Sequence, residues 1–572
     1  MTTDEQDLLE PLPQMAQDTA RPVFLAFQGG GARGIAHVGG LAAVNDLGLP
    51  VAGVAGTSAG AIMAALVAAG YRADQLLDPD AGTHLLQKVA GGRFKQATAL
   101  FGRNWRYIRW LRQAVATFGC AGRYYRSTPL SDDLAWLCNR TWGKVALILA
   151  GLFVAYEIDA QLPRPAFAIL IVVLILAAWL AKRCVDGLAS LDEVLALVDE
   201  AIAEGLKLRG RNITFADLKA HNGLPLKLVA TNVSDQSLEL FSAETTPDVK
   251  VADAVAASIC LPVVFRPWSF SFKRRGEPVA VERRFIDGGL VSNLPVWTFD
   301  EERALNEKAV TIAFGLNPPK KGRDPHWLPA ALQTVVAGPP EVHFRGIDRM
   351  IHIPLDSKLS VLAFDARFDD LSKVVAKATS DATTQVQLHL TEVPTQIRRA
   401  LAALASSVSD ALKLEFAGEL AGREAESPLF RIALGIQKPS DRLSLTIAYE
   451  LGHDDSLRGA RLALDSPAGL AWQGVTAIRT DEASQIYRDS RWTGCVPVRE
   501  SHLARQDDGT HGLTAGAGAV VAIFDSPFPL PDSIWADKGA LEEFWVALSE
   551  LVTAYFADRD TGNQLRRSMA WL

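Results

Sequence analysis

Residues Gly56, Thr57, Ser58, Ala59 and Gly60 form a G-x-S-x-G pentapeptide where a short apolar run (51–55) meets a helical stretch that starts at Ser58. A sharp strand-to-helix turn of this kind lifts the serine clear of a sheet, and flanking glycines are needed because side chains would clash there. The following helix points its positive end at the serine, which lowers the cost of an alkoxide or a tetrahedral oxyanion. The same residues also fit a small-residue turn in which Ser58 only caps a helix.

A glycine run precedes this turn. Residues Gly29, Gly30, Gly31, Ala32, Arg33 and Gly34 follow a buried strand-like run at 22–28. Such a run exposes backbone N–H groups that can converge on a negative oxygen. One use is an oxyanion hole, the other a dinucleotide phosphate loop, since the run also fits G-x-G-x-x-G. The dinucleotide reading needs an acidic residue at the end of the next strand to hold a ribose, and that strand runs instead into Gly56, Thr57 and Ser58. The P-loop reading fails for want of Gly-Lys-Ser/Thr. Arg33 opposes the dipole of the helix it opens, which suggests that it holds the loop or meets an anionic head group; a solvent-facing arginine is the other reading.

A nucleophilic serine needs a base. Ten histidines are present, none in a recognisable motif, and His37 is too near the glycine run to be assigned. Asp287 follows an apolar strand end, Phe285 and Ile286, and is followed by Gly288 and Gly289, a compact turn that allows close approach of a neighbour. The same pattern is found in ordinary Asp-Gly turns.

The elements that must hold these groups read as strand–turn–helix repeats, with strands at 22–28, 51–55, 226–232, 262–265 and 309–315 and helices over 33–47 and from Ser58. This is the signature of an α/β sheet covered by helices. Ser190 and Glu193 fit a capping box for a helix carrying Leu191, Val194, Leu195, Val198 and Ile202 at core spacing. Residues 391–425 read as a helical linker. Residues 426–572 alternate strand-like runs and turns and close on a helix at 541–557, a separate α+β domain.

Two uncharged runs, 145–156 and 166–181, interrupt the α/β pattern. As helices they reach roughly 18 and 24 Å at about 1.5 Å per residue. A bilayer core takes about 30 Å. Extended to 142–183 they form a hydrophobic hairpin insert that spans or dips into a membrane, with Lys144, Lys182 and Arg183 on the cytoplasmic side. Interfacial helices and a buried soluble hairpin are the other readings.

The chain has 572 residues, of which 49% are hydrophobic, and a net charge of −7, which argues against nucleic-acid binding. Its five cysteines lack any CxxC pair, so neither a disulfide framework nor a zinc site is expected. Residues 1–20 begin with acids and carry no secretory pattern; they read as a disordered tail.

Together, 28–34, 56–60 and 287–289 resemble the patatin-like phospholipases, with support from 213–218, 230–234, 257–267 and 352–364. The resemblance covers about 22–390 and implies a three-layer α/β fold over 21–390. It implies that Ser58 is the nucleophile and Asp287 its base, with Gly29, Gly30 and Gly31 as the oxyanion hole. Arg33, Gly34, Gly56, Gly60, Gly288 and Gly289 support the motifs. The expected activity is hydrolysis of fatty-acyl esters of phospholipids or related lipids, without metal or cofactor, at a membrane. A non-catalytic lipid-binding protein on the same fold is the alternative. Burial is expected to raise the Asp287 pKa. The C-terminal region resembles a GAF-type sensor domain, which implies regulation or homo-oligomers.

Overall fold

The computed structural model describes residues 21–79, 81–85, 189–262, 264–306, 308–317, 347, 349–361, 363–415, 431–438, 441–452, 459–474, 478–480, 490–498, 520–526 and 536–557. The tail at 1–20 and the hydrophobic hairpin expected at 142–183 lie outside these residues. No helix among the described residues is long and apolar enough to cross a membrane.

Strands β1 (Val23–Phe27), β2 (Val51–Thr57), β3 (Leu226–Asn232), β4 (Ser237–Phe241), β5 (Trp268–Phe272), β6 (Val281–Ile286), β7 (Val310–Asn317) and β8 (Met350–Asp356) build an eight-stranded sheet. Its order is β8-β7-β1-β2-β3-β6-β5, with β4 paired to β3. The run from β8 to β3 is parallel; β4, β5 and β6 add antiparallel pairs at the other end. Parallel strands are covered on both faces and so read as unbroken apolar runs, as β1 does with five buried residues.

Because side chains alternate across a strand, β1 splits its core residues between two layers. Val23, Leu25 and Phe27 join the main core, as do Val310, Ile312 and Phe314 of β7. That core is closed by α1 (Ala36–Asp46), α2 (Ala59–Ala68), α3 (Asp192–Gly205), α4 (Val251–Ile259) and α5 (Phe368–Gln387). Phe24 and Ala26 face the other way, against Leu294, Val296 and Phe299 of the segment that follows Asp287. The result is the expected three-layer arrangement.

Two local expectations are corrected. Pro262, Val264 and Phe265 do not form a strand. They follow α4, where Pro262 cannot donate to a ladder, and of the three only Phe265 bridges, to Ala189. The Ser190–Glu193 capping box is also absent. The N-cap of α3 is Leu191, and Ser190 Oγ instead donates to Asp192 Oδ2 at 2.5 Å.

A second sheet follows α6 (Val393–Glu415). Strands β9 (Arg431–Lys438), β10 (Asp441–Leu451), β11 (Arg461–Ala463), β12 (Ile478–Thr480), β13 (Trp492–Val498) and β14 (Val520–Ser526) pair antiparallel in the order β11-β10-β9-β14-β13-β12. Val393, Ile397, Leu401 and Leu404 of α6 pack with Trp545, Leu548 and Val552 of the closing helix α8 (Lys538–Ala557) on one face. Helix α7 (Pro467–Gly474) packs on the other. The stretch that reads as a linker therefore contains a helix with an apolar face built into the second core.

Candidate active site

Ser58 links β2 to α2 at φ 52° and ψ −125°, a conformation that costs a non-glycine residue about 1–3 kcal/mol and persists only where the surroundings impose it. Those surroundings are close backbone. A side chain on Gly60 would run into the carbonyl of Phe27, and one on Gly56 into that of Gly60, so α2 can lie against β1 and β2 only with glycine at both positions. The Ser58 N–H donates to Ser258 Oγ at 2.9 Å, and that hydroxyl donates to Val229 O at 2.6 Å. Helix α4 thus fixes the turn through Ser258, a contact 200 residues away in sequence.

Asp287 follows the last residue of β6. Its N–H donates to Cys260 O at 3.0 Å, and its carbonyl accepts from Thr231 Oγ1 at 2.8 Å. Gly288 lets it approach β3: a side chain there would strike Val229 O. The carboxylate accepts the Gly289 N–H on Oδ1 at 2.8 Å and the Ser58 hydroxyl on Oδ2 at 2.7 Å. It is only 2% exposed. Burial pushes its pKa up to about 6, against the opposing pull of the Ser58 and Gly289 hydrogen bonds. A carboxylate that stays ionised near neutrality, yet is more basic than one in water, can accept a proton from the hydroxyl it touches.

No histidine among the described residues hydrogen-bonds to Ser58 or Asp287. His37 is fully buried, and its Nε2 lies 2.8 Å from Gln28 O. Burial pushes its pKa down to about 4, so it is neutral and braces the strand end beneath the glycine run.

The glycine run leaves β1 and turns into a short 3-10 helix, Gly31–Ile35. Gly31 has φ +58°, which favours glycine. The three expected N–H donors are not equivalent. That of Gly29 is spent on Asn293 O at 3.0 Å, which corrects the expectation of three. Those of Gly30 and Gly31 meet no acceptor among the described residues. Arg33 is buried, with Nε 3.4 Å from Gly30 O and Nη1 3.5 Å from Asn317 O. It pairs with no carboxylate among the described residues, and burial lowers its pKa. Its contacts are those of a residue holding the loop. Gly34 sits against Ala59, at the start of α2.

Ser58, Asp287 and the glycine run border one cavity of about 300 Å³. Apart from that polar end and Asn293 its wall is aliphatic and aromatic, with Met63 and Leu66 from α2, Leu197 and Val198 from α3, and Phe265 and Phe364 from loops. No cluster of His, Cys, Asp or Glu among the described residues could hold a metal ion. Sequence reading missed Ser258, Thr231 and Asn293. Thr231 and Ser258 lie in the supporting runs 230–234 and 257–267 and Asn293 follows the Asp287 turn, but none of the three was given a role, because only the fold brings them to the site.

Residues 25–300 match the family model of patatin-like phospholipases. A protein of Invertebrate iridescent virus 6, described as the probable lipid hydrolase 463L, is 29% identical over 91 residues, 16% of this chain and 28% of the viral one. The chain thus spans little more than a quarter of that relative. VipD from Legionella pneumophila has 18% identity and a TM-score of 0.29, with 64% of this chain and 67% of that one covered. The GAF domain of a phosphoenolpyruvate-protein phosphotransferase from Acinetobacter has 15% identity and a TM-score of 0.15, with 28% and 93% covered.

Proposed function

Since residues 25–300 form a patatin-like phospholipase domain, we propose that the protein is a serine acyl hydrolase that cleaves fatty-acyl esters of phospholipids or related lipids through Ser58 and Asp287. The observation that carries this reading is the 2.7 Å hydrogen bond from Ser58 Oγ to a buried carboxylate at the polar end of an apolar cavity.

In the first step Ser58 Oγ attacks the acyl carbonyl carbon while its proton passes to Asp287 Oδ2. The carbonyl oxygen becomes an oxyanion that accepts the N–H groups of Gly30 and Gly31, with the positive end of α2 behind it. Collapse of the tetrahedral species breaks the ester C–O bond, and Asp287 returns the proton to the leaving alcohol. Water then attacks the acyl-enzyme with Asp287 again as base, releasing the fatty acid and restoring Ser58. The aliphatic wall suits an acyl chain, whose burial is worth about 0.8 kcal/mol per methylene. The substrate is drawn from a membrane surface.

Fatty-acid release from vesicles of defined lipids tests this reading. Release by the purified protein and none by Ser58→Ala is expected; equal rates in both would leave a lipid-binding protein without catalysis.

A further inference from the structure

Three polar side chains line the cavity among the described residues: Ser58, Asp287 and Asn293. The two-residue reaction uses the first two. Asn293 is 1% exposed, and neither its Nδ2 nor its Oδ1 has a hydrogen-bond partner among the described residues. Leaving a buried polar group unpaired costs about 1–3 kcal/mol, and native proteins avoid it except where a ligand, water or function satisfies the group. An aliphatic side chain of the same size would carry no such cost.

Its position says what it could meet. The Asn293 backbone carbonyl takes the Gly29 N–H, removing one donor from the glycine run. Its carboxamide stands over the same glycine: a side chain built on Gly29 would collide with Asn293 Oδ1 and come within 3.0 Å of Ser58 Cβ. The amide and the Ser58 side chain therefore flank one point. With neither end pinned by a partner, rotation of the amide by 180° exchanges Oδ1 and Nδ2, so the donor can be turned toward negative charge.

We propose that the Asn293 carboxamide is a third donor to the oxyanion, through Nδ2–H, replacing the N–H that Gly29 gives to the same residue's backbone. The inference rests on the acyl-hydrolase reading above. As the acyl carbonyl becomes tetrahedral its oxygen gains charge, and a preplaced donor is worth more there than in the ground state. Loss of the amide therefore lowers kcat, not substrate affinity.

Steady-state hydrolysis of a p-nitrophenyl acyl ester by the full chain, with Asn293→Ala and Asn293→Asp, tests this. Removing one such donor is expected to lower kcat roughly 10²–10³-fold with KM little changed. In Asn293→Ala the thermal unfolding midpoint is expected to stay at or above that of the parent, because an unpaired amide has gone. Asn293→Asp places an acceptor, and when ionised a negative charge, beside the oxyanion. It is expected to be at least as slow as Asn293→Ala, and it carries the test if the alanine variant does not fold. Unchanged kcat in the folded variants, or a loss confined to KM, overturns the proposal. Failure of the underlying reading is distinct: the parent protein itself would then release no p-nitrophenol.

Discussion

Asp287 combines deep burial with two donors to its carboxylate among the described residues, and the resulting pKa of about 6 gives two expectations of known sign. Hydrolysis needs the ionised form, so kcat/KM should rise with pH through about 6 and level off above it. Asp287→Asn should abolish that limb and lower the rate by roughly 10²–10⁴-fold. For stability the sign is opposite to that of a salt-bridged carboxylate. The folded state holds the proton more tightly than the unfolded chain, so this group's contribution is complete below about pH 4 and is lost as pH rises to about 6. Near neutrality Asp287→Asn should be at least as stable as the parent, by up to about 3 kcal/mol, read from denaturant unfolding. Ser58 and Asp287 were legible in the sequence because each lies in a glycine-framed turn whose form is its signature. Ser258 and Asn293 were not: one hydroxyl among small helical residues and one amide after a turn acquire meaning only when α4 and the segment after Asp287 fold against Ser58.

Helix α3 forms part of the cavity wall, and its residues Val194, Leu197, Val198 and Ala201 all face that space. The spacing of Leu191, Val194, Leu195, Val198 and Ile202 announced a buried face in the sequence, but not that Leu197 and Ala201 join Val194 and Val198 along a cavity, because core and cavity lining use the same aliphatic residues. Val198→Trp should fill part of the wall and shift hydrolysis toward shorter acyl chains. A series of p-nitrophenyl esters checks this, with the longest chain losing most. The close approach of α2 to the sheet gives a second expectation. Gly60→Ala would push a methyl group into the carbonyl of Phe27 and should lower both thermal stability and activity, since backbone cannot yield as a side-chain tip can. The parallel strands were readable as apolar runs. The 262–265 segment misled because a short apolar run with a proline looks the same whether it pairs in a sheet or turns over the end of a helix.

At the scale of the whole molecule the described residues pack around two sheets, one mostly parallel and one antiparallel, each with its own buried clusters. The change from strand–helix alternation to strand–turn alternation made this division visible in the sequence. The role of α6 in the second core was not visible, since an Ala-rich helix with one apolar face also suits a linker. We propose boundaries at 21–390 for the hydrolase and 426–572 for the accessory domain. Residues 21–390 alone should then hydrolyse a soluble ester, and a loss of both folding and activity would show that the halves depend on each other. The central claim remains chemical: Ser58 carries the acyl group. Its most direct test is intact-protein and peptide mass spectrometry after reaction with a fluorophosphonate, which trails a phosphonyl group on an activated serine. A single adduct on the peptide containing Ser58, absent in Ser58→Ala and slowed in Asp287→Asn, is predicted; no adduct, or one on another residue with Ser58 unmodified, would contradict it.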